Sequence, residues 1–408
     1  MKANSYIAVC IKNNLKRDYD YIICGAGCAG LSLLMRMILD PFFDKKKILV
    51  IDKDHKNKND RTWCFWEKEE DIFENIVHHR WQNLEFHSSS FSSKFNIAPY
   101  RYKMIRSIDF YNHVLQAAEG KSNISFLYDD ILNVYSEDDT AIVQTGTNTY
   151  KAEYVFNSIT GADKRFLFEE NNASKPAGVY TLLQHFKGWM IETEDDVFDT
   201  DTAGFMDFRV AQTYGSTFVY VLPVSKRSAL VEYTLFNEKL LSQQEYDDAL
   251  KNYINKFLNI TSYYISDEEY GIIPMSNYRF SQQQGRVINI GTAGGQTKAS
   301  SGFTFKFIQK QSKKIIDDLV QQKQLLMKDN FTKKKFHLYD SVLLHVLHHK
   351  KMNGDEIFAR IFKKNPPQRV LAFLDNETGL WGDLHILSSV PSKIFLPAAF
   401  YEMMKIFD

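Results

Sequence analysis

Gly25, Gly27 and Gly30 stand in GxGxxG spacing, after the apolar run Tyr19 to Cys24 and before the helical run Leu31 to Leu39. In that context the first glycine permits a tight turn, the second lets the backbone approach a pyrophosphate closely, and the third lets the helix pack closely on the strand. The following helix turns free N–H groups and its positive dipole end toward phosphates. A second strand, Lys47 to Asp52, ends in a carboxylate 22 residues past Gly30, close to the roughly 20 expected of an acid that binds a ribose hydroxyl. Asp52 there should repel a 2′-phosphate, which favours the ADP half of FAD or NAD over tightly bound NADP; Asp54 is a weaker candidate. Gly291, Thr292, Ala293, Gly294 and Gly295 form a second small-residue turn between the strand Arg286 to Ile290 and a helix from Phe303. It could give more backbone donors to a dinucleotide longer than NAD, or be an ordinary strand end.

Acid chemistry has two candidates. Leu230, Glu232 and Thr234 share one face of a strand, and Val231, Tyr233 and Leu235 share the other. Both faces are mostly apolar, so the strand is expected to be buried, and a lone carboxylate there is costly unless protonated or paired. Desolvation would keep its proton available near neutrality, as a general acid requires. Pairing with Arg209 or Lys226 at the sheet edge is the other reading. Asp207, flanked by Met206 and Phe208 and near Arg209, either orients a flavin or substrate contact or only pairs with Arg209. The aromatics Trp63, Phe65, Trp66, Phe205, Phe208, Phe218 and Tyr220 either face a carbocation or pack a core. His345, His348 and His349 have helical spacing but no carboxylate motif nearby, so they read as a solvated or membrane-facing stripe, and no metal site is expected.

A chain of 408 residues with 44% hydrophobic and 25% charged residues is an ordinary globular protein of two to three domains. Its 50 basic residues balance 50 acidic ones, which leaves no global field for nucleic acid. The aromatic share of 14% is high and suits a bulky apolar ligand or an aromatic core. Four cysteines without a CxxC pair suggest a reducing cytoplasm, and residues 1–17 read as a leader without a targeting role. No apolar run is long enough to span a bilayer. The region from Arg61 through Trp81 reads as aromatic and irregular. Strands are expected across 124–157, then successive β-rich runs from Val179 to Leu235, a helix over Ser242 to Leu258, and a β segment from Glu269 to Pro274.

The stretches GAGCAG at Gly25, RTWCFWE at Arg61, MDFR at Met206, FVYVLPVSKRSALVEYT at Phe218, GIIPM at Gly271 and INIGTAGG at Ile288 together resemble the lycopene β-cyclase family of FAD-dependent carotenoid-cyclising flavoproteins. The resemblance implies an α/β fold: a Rossmann-like FAD-binding domain (18–80, 106–165 and 285–328), an interleaved β-sheet substrate domain (81–105 and 166–284) and a helical C-terminal region (329–408). It implies FAD, active when reduced, held by Gly25, Gly27, Gly30, Asp52, Arg61 and residues 291–295, with NADPH as electron donor. It implies that Glu232 carries the family's first motif carboxylate and protonates lycopene or a related linear carotenoid. The second carboxylate of that motif is Tyr233 here, so a helper acid is missing from the adjacent position. The same domain pair could instead serve a flavin monooxygenase, a polyprenyl reductase or a non-catalytic carotenoid- or quinone-binding flavoprotein. A lipid-borne substrate implies a cytoplasmic protein peripherally attached to the membrane. Between Lys306 and Lys350 ten lysines face four aspartates, a local excess of +6 that anionic headgroups could answer. Val370 to Leu374, Ile394 to Leu396, Phe400, Met403, Met404 and Phe407 are the expected apolar anchors.

Overall fold

The computed structural model describes residues 17–161, 167–168, 175–325, 327 and 329–405; the leader, Cys10 and Phe407 lie outside them. The chain begins β1 (Tyr19–Cys24), α1 (Cys28–Leu39), β2 (Ile48–Asp52), β3 (Thr62–Glu67), β4 (His79–Trp81), β5 (Asn83–His87), β6 (Ser92–Asn96), β7 (Arg101–Arg106) and α2 (Ser107–Ala118). It continues through β8 (Ile124–Tyr128), β9 (Ile131–Glu137), β10 (Thr140–Thr145), β11 (Thr149–Asn157), β12 (Thr181–Glu192), β13 (Thr202–Asp207), β14 (Ser216–Pro223), β15 (Ser228–Asn237), α3 (Gln243–Leu258) and β16 (Tyr264–Ser276). The remainder is β17 (Gln283–Gln284), β18 (Val287–Asn289) and the helices α4 (Phe305–Val320), α5 (Phe331–His348), α6 (Gly354–Lys364), α7 (Pro367–Leu374), α8 (Leu380–Leu387) and α9 (Ser392–Met404).

In the first sheet β1 lies between β2 and β11, parallel to both, and β18 continues it beyond β11. Ile22, Ile23, Val50 and Ile51 are apolar without alternation because both faces are covered, one by α1 and α4 and the other by the β9–β10 hairpin. The second sheet runs β16-β12-β15-β14-β13-β5-β6 and is antiparallel except where β13 meets β5. Helix α3 opens with a capping box between Ser242 and Glu245, which satisfies its first free N–H groups. Its Tyr246, Leu250, Tyr253 and Ile254 then cover Val231, Tyr233 and Leu235 of β15. Glu232, on the opposite face of that strand, looks inward.

The segment from Arg61 to Trp81, read from the sequence as irregular, contains strands β3 and β4, which pair with either side of β7. Period-two alternation is hidden there because aromatics point both ways. Trp66 and Trp81 are buried, and their indole N–H groups donate to the carbonyls of Leu371 (3.1 Å) and Pro223 (2.9 Å).

The C-terminal helices correct three expectations. Val370, Leu371 and Leu374 are buried core residues of α7, so that run is not an anchor. Part of the lysine excess is answered within the protein: Lys306 pairs with Glu67 (2.7 Å), Lys310 with Glu377 (2.9 Å) and Lys335 with Asp383 (2.5 Å), all acids outside the basic segment. His345 is buried rather than part of a solvated stripe; its Nδ1 lies 2.8 Å from the Tyr180 hydroxyl and 3.1 Å from Glu402 of α9, and Lys405 donates to Glu402 at 2.9 Å. Helix α9 thus turns a polar hook inward, while Leu396, Phe400, Tyr401, Met403 and Met404 are exposed. Helix α8 likewise exposes Leu380, Trp381, Leu384 and Leu387, Trp381 to 81%. Among the described residues no helix is long and apolar enough to cross a membrane, and no cluster of His, Cys, Asp or Glu could hold a metal ion.

Candidate active site

The glycine turn joins β1 to α1. Gly25 has φ +96°, a conformation that favours glycine, and its N–H donates to Ile51 O at 2.7 Å. A Cβ on Gly30 would lie 1.9 Å from the Gly25 carbonyl, so the helix can approach the turn only because residue 30 has no side chain. Gly27 is different: a Cβ there meets nothing within 4 Å. The space above it belongs to a cavity. Gly27 also caps α1, no side chain satisfies the helix's first N–H groups, and no acid lies in its first turn, leaving them for an anion. Asp52 Oδ2 accepts from Ala26 N–H at 2.6 Å, and Lys56 Nζ stands 3.2 Å from Oδ1. The carboxylate therefore braces the turn from the end of β2. Asp54, at 3.9 Å from Lys56, is exposed.

The second glycine turn packs against the first, since a Cβ on Gly291 (φ +59°) would fall 2.7 Å from the Cβ of Ala29. Gly291 and Thr292 line the cavity; Ala293, Gly294 and Gly295 are not among its lining residues. Arg61 is at the cavity wall, its guanidinium donating to Asp60 O at 2.6 Å.

The cavity, about 440 Å³, runs from Gly27 and Gly291 to Glu232. Leu222, Leu230, Ile272 and Ile273 line it with Trp63, Tyr102, Phe186, Tyr220 and Phe303. Of the aromatics singled out in the sequence, only Trp63 and Tyr220 face it; Trp66, Phe205, Phe208 and Phe218 belong to the core of the second sheet, and Phe65 stacks on Phe305 at 4.4 Å. Two buried polar atoms in its wall, Gln184 Oε1 and Ser301 Oγ, have no protein partner. Open space at Gly27, uncapped N–H groups on α1 and these orphan atoms fit a bound dinucleotide.

Glu232 reaches the far end of the cavity from β15 and does not pair with Arg209 or Lys226. Its Oε1 accepts from the Thr234 hydroxyl at 2.7 Å, and Glu269 of β16 lines the same wall of the cavity. Burial first, then the charge of Glu269, pushes the Glu232 carboxyl well above its ordinary range. Both carboxyls are pushed up by burial, and the Thr62 hydroxyl and the charge of Arg61 beside Glu269 favour the negative charge on that member of the pair. A second carboxylate is present after all, from another strand. Glu232 and Glu269 both lie opposite Gly188 of the intervening strand β12. Glycine inside a strand marks a close approach, and that was the one sequence signal for this pair. Tyr233 points the other way, under α3.

Asp207 lies elsewhere. It is buried, held by the Arg209 guanidinium (Nε to Oδ1 2.9 Å) and by the Tyr253 hydroxyl of α3 at 2.7 Å, and it does not line the cavity.

A mixed sheet with a parallel centre carrying the glycine turn, faced across a cavity by a mostly antiparallel sheet, with helices at the C-terminal end, is a fold this chain shares with solved flavoproteins. Solved structures agree: a geranylgeranyl bacteriochlorophyll reductase-like protein from Thermoplasma acidophilum (12% identity, TM-score 0.57, covering 95% of this chain and 98% of that one), a flavoprotein/dehydrogenase from Cytophaga hutchinsonii (11%, 0.62, 95% and 99%) and a probable FAD-dependent monooxygenase from Pseudomonas aeruginosa (13%, 0.54, 82% and 97%). No curated protein matches the chain. The family model for lycopene cyclase protein matches residues 20–399, and the chain belongs to that family.

Proposed function

We propose that this protein is an FAD-dependent lycopene β-cyclase, closing the ends of lycopene to β-ionone rings without net oxidation. The observation that carries the reading is Glu232: a carboxyl kept protonated by burial, among the aromatic and aliphatic residues at the end of a cavity that begins at the dinucleotide cradle. Glu232 donates its proton to the terminal double bond, and the neighbouring double bond attacks the resulting cation. Loss of a ring proton completes the β-ring. Trp63, Tyr102, Phe186 and Tyr220 present ring faces and edges to the passing charge, while the aliphatic wall keeps water from trapping it. Gly25, Gly27, Gly30 and Asp52 hold the ADP half of FAD, with Gly291 and Thr292 toward the flavin. When bound and reduced at the expense of NADPH, FAD supplies negative charge beside the developing cation. Expression in a lycopene-accumulating host tests the reading. Pigments with β-rings and unchanged mass support it; an added oxygen or added hydrogens would identify a monooxygenase or a reductase, and unchanged lycopene a binder.

The substrate lies in lipid, and we place the contact with the bilayer on the exposed apolar side chains of α8 and α9 rather than on the lysines. Trp381, Leu384, Leu396 and Phe400 are among them, as on helices that lie in a membrane interface. Purified protein is expected to float with vesicles and to remain bound in high salt. The variant Trp381→Ser/Leu384→Ser/Phe400→Ser should stay in the soluble fraction. Flotation of that variant at the parental level would remove these side chains from the reading.

A further inference from the structure

We infer that Glu269 is the second catalytic group of the cyclisation: it takes the ring proton after Glu232 has given one, and so directs the product to the β-ring. This rests on the cyclase reading above. The carbon that accepts the first proton and the ring carbon that loses the last one are both bonded to the same cyclising carbon, so proton entry and exit occur one atom apart. Two carboxyls that flank Gly188 and both line the cavity can serve carbons that close together.

The balance closes. Glu232 loses a proton to the terminal double bond, leaving a tertiary cation. The second double bond closes the ring through one of its carbons and leaves the charge on the other, which becomes one end of the ring double bond. Glu269, as carboxylate, takes the hydrogen from the neighbouring ring carbon, and the released C–H electron pair becomes the ring double bond. The pair then stands with its proton on Glu269, and one transfer to its neighbour restores Glu232. No outside acid, base or oxidant is consumed.

The asymmetry needed for donor and acceptor is built from neighbours. Glu269 accepts from the Thr62 hydroxyl at 2.7 Å and feels Arg61; Glu232 accepts from Thr234. Cys64, Tyr102 and Tyr220, the other titratable groups facing the pair, are pushed up by burial and stay neutral, and Asp267 beside Glu269 raises it. Gly188 leaves the room: a Cβ there would sit 3.1 Å from Glu269 Cγ and 3.5 Å from Glu232 Cβ.

The test compares the parent with Glu269→Gln and with Gly188→Ala, which keeps both carboxyls and separates them. Glu269→Gln is expected to slow cyclisation on the order of 10²-fold and to shift surviving product toward rings whose double bond lies elsewhere, ε or γ. Gly188→Ala should do the same, about tenfold in rate. Infrared titration of the buried carboxyl, which needs no turnover, should show Glu232 ionising at lower pH in Glu269→Gln because a negative neighbour has gone. Parental β-ring formation in Glu269→Gln, or an unchanged infrared titration, overturns the inference. A parent that makes no rings while its infrared titration moves as expected overturns the cyclase reading and the carbon assignment but retains the shared proton.

Discussion

Glu232→Gln is expected to lose about 10²- to 10⁴-fold in cyclisation while retaining its fold and its flavin, an increase of about 3–5 kcal/mol in the barrier. Glutamine preserves the size of the side chain and can still meet Thr234, but it has no acidic proton to give. Ring formation in a lycopene-accumulating host, measured beside flavin absorbance of the purified variant, separates lost chemistry from lost structure; a variant that cyclises at the parental rate would falsify the assignment. The same substitution has a signature in stability. Because the native carboxyl ionises well above its unfolded value, the folded state holds an extra proton. That contribution is complete below the ordinary glutamate range and is lost as pH rises through the elevated native value. The parent's melting temperature should therefore fall more than the variant's as pH rises from the ordinary glutamate range through the carboxyl's elevated native value.

Gly30→Ala is expected to be the most destructive single methyl in the chain. Its Cβ would fall 1.9 Å from Gly25 O and 3.0 Å from Ile23 Cγ2, a clash with backbone that no rotamer relieves. Overpacking of this kind costs about 3 kcal/mol. Both the melting temperature and flavin retention should drop. Gly27→Val isolates the ligand term, because residue 27 has φ −81° and ψ −167°, open to any residue, and its Cβ meets nothing. Thermal stability should be nearly parental, while FAD affinity falls at least tenfold, about 1.4 kcal/mol. Equal flavin retention in parent and Gly27→Val would place the pyrophosphate elsewhere.

The dinucleotide cradle was legible because it is local: one strand, one turn, one helix and a carboxylate within a single βαβ unit. Glu232 was legible as a carboxylate on a doubly apolar strand. Its partner was not, because β16 reaches β15 only through β12, and nothing at Glu269 itself distinguishes it from the acidic residues before it. Asp207 shows the converse limit. An acid in an apolar strand carries the same pattern whether its face meets a cavity or a tyrosine, and only the placement of α3, which brings Tyr253 to it, decides. The strands from Arg61 were obscured by aromatics on both faces. The lysine-rich segment reads as more charged than it is because charge counted along a sequence ignores partners that folding brings from 67, 377 and 383.

Helix α9 packs Ile394, Phe395, Ala398 and Ala399 against α5 and also turns Glu402 inward to Tyr180, yet it leaves Leu396, Phe400, Met403 and Met404 exposed. This has a practical consequence for handling the protein. Detergent should coat this corner without prying the helix off, because what fastens α9 there includes hydrogen bonds that detergent tails cannot replace. Removing the last helix should do the opposite, stranding His345 and Tyr180 without their acid in the interior. A preparation that clouds without detergent and clears with it, while a C-terminal truncation precipitates in both, would be the bench-side expression of a helix fastened inward by a buried acid and apolar outside.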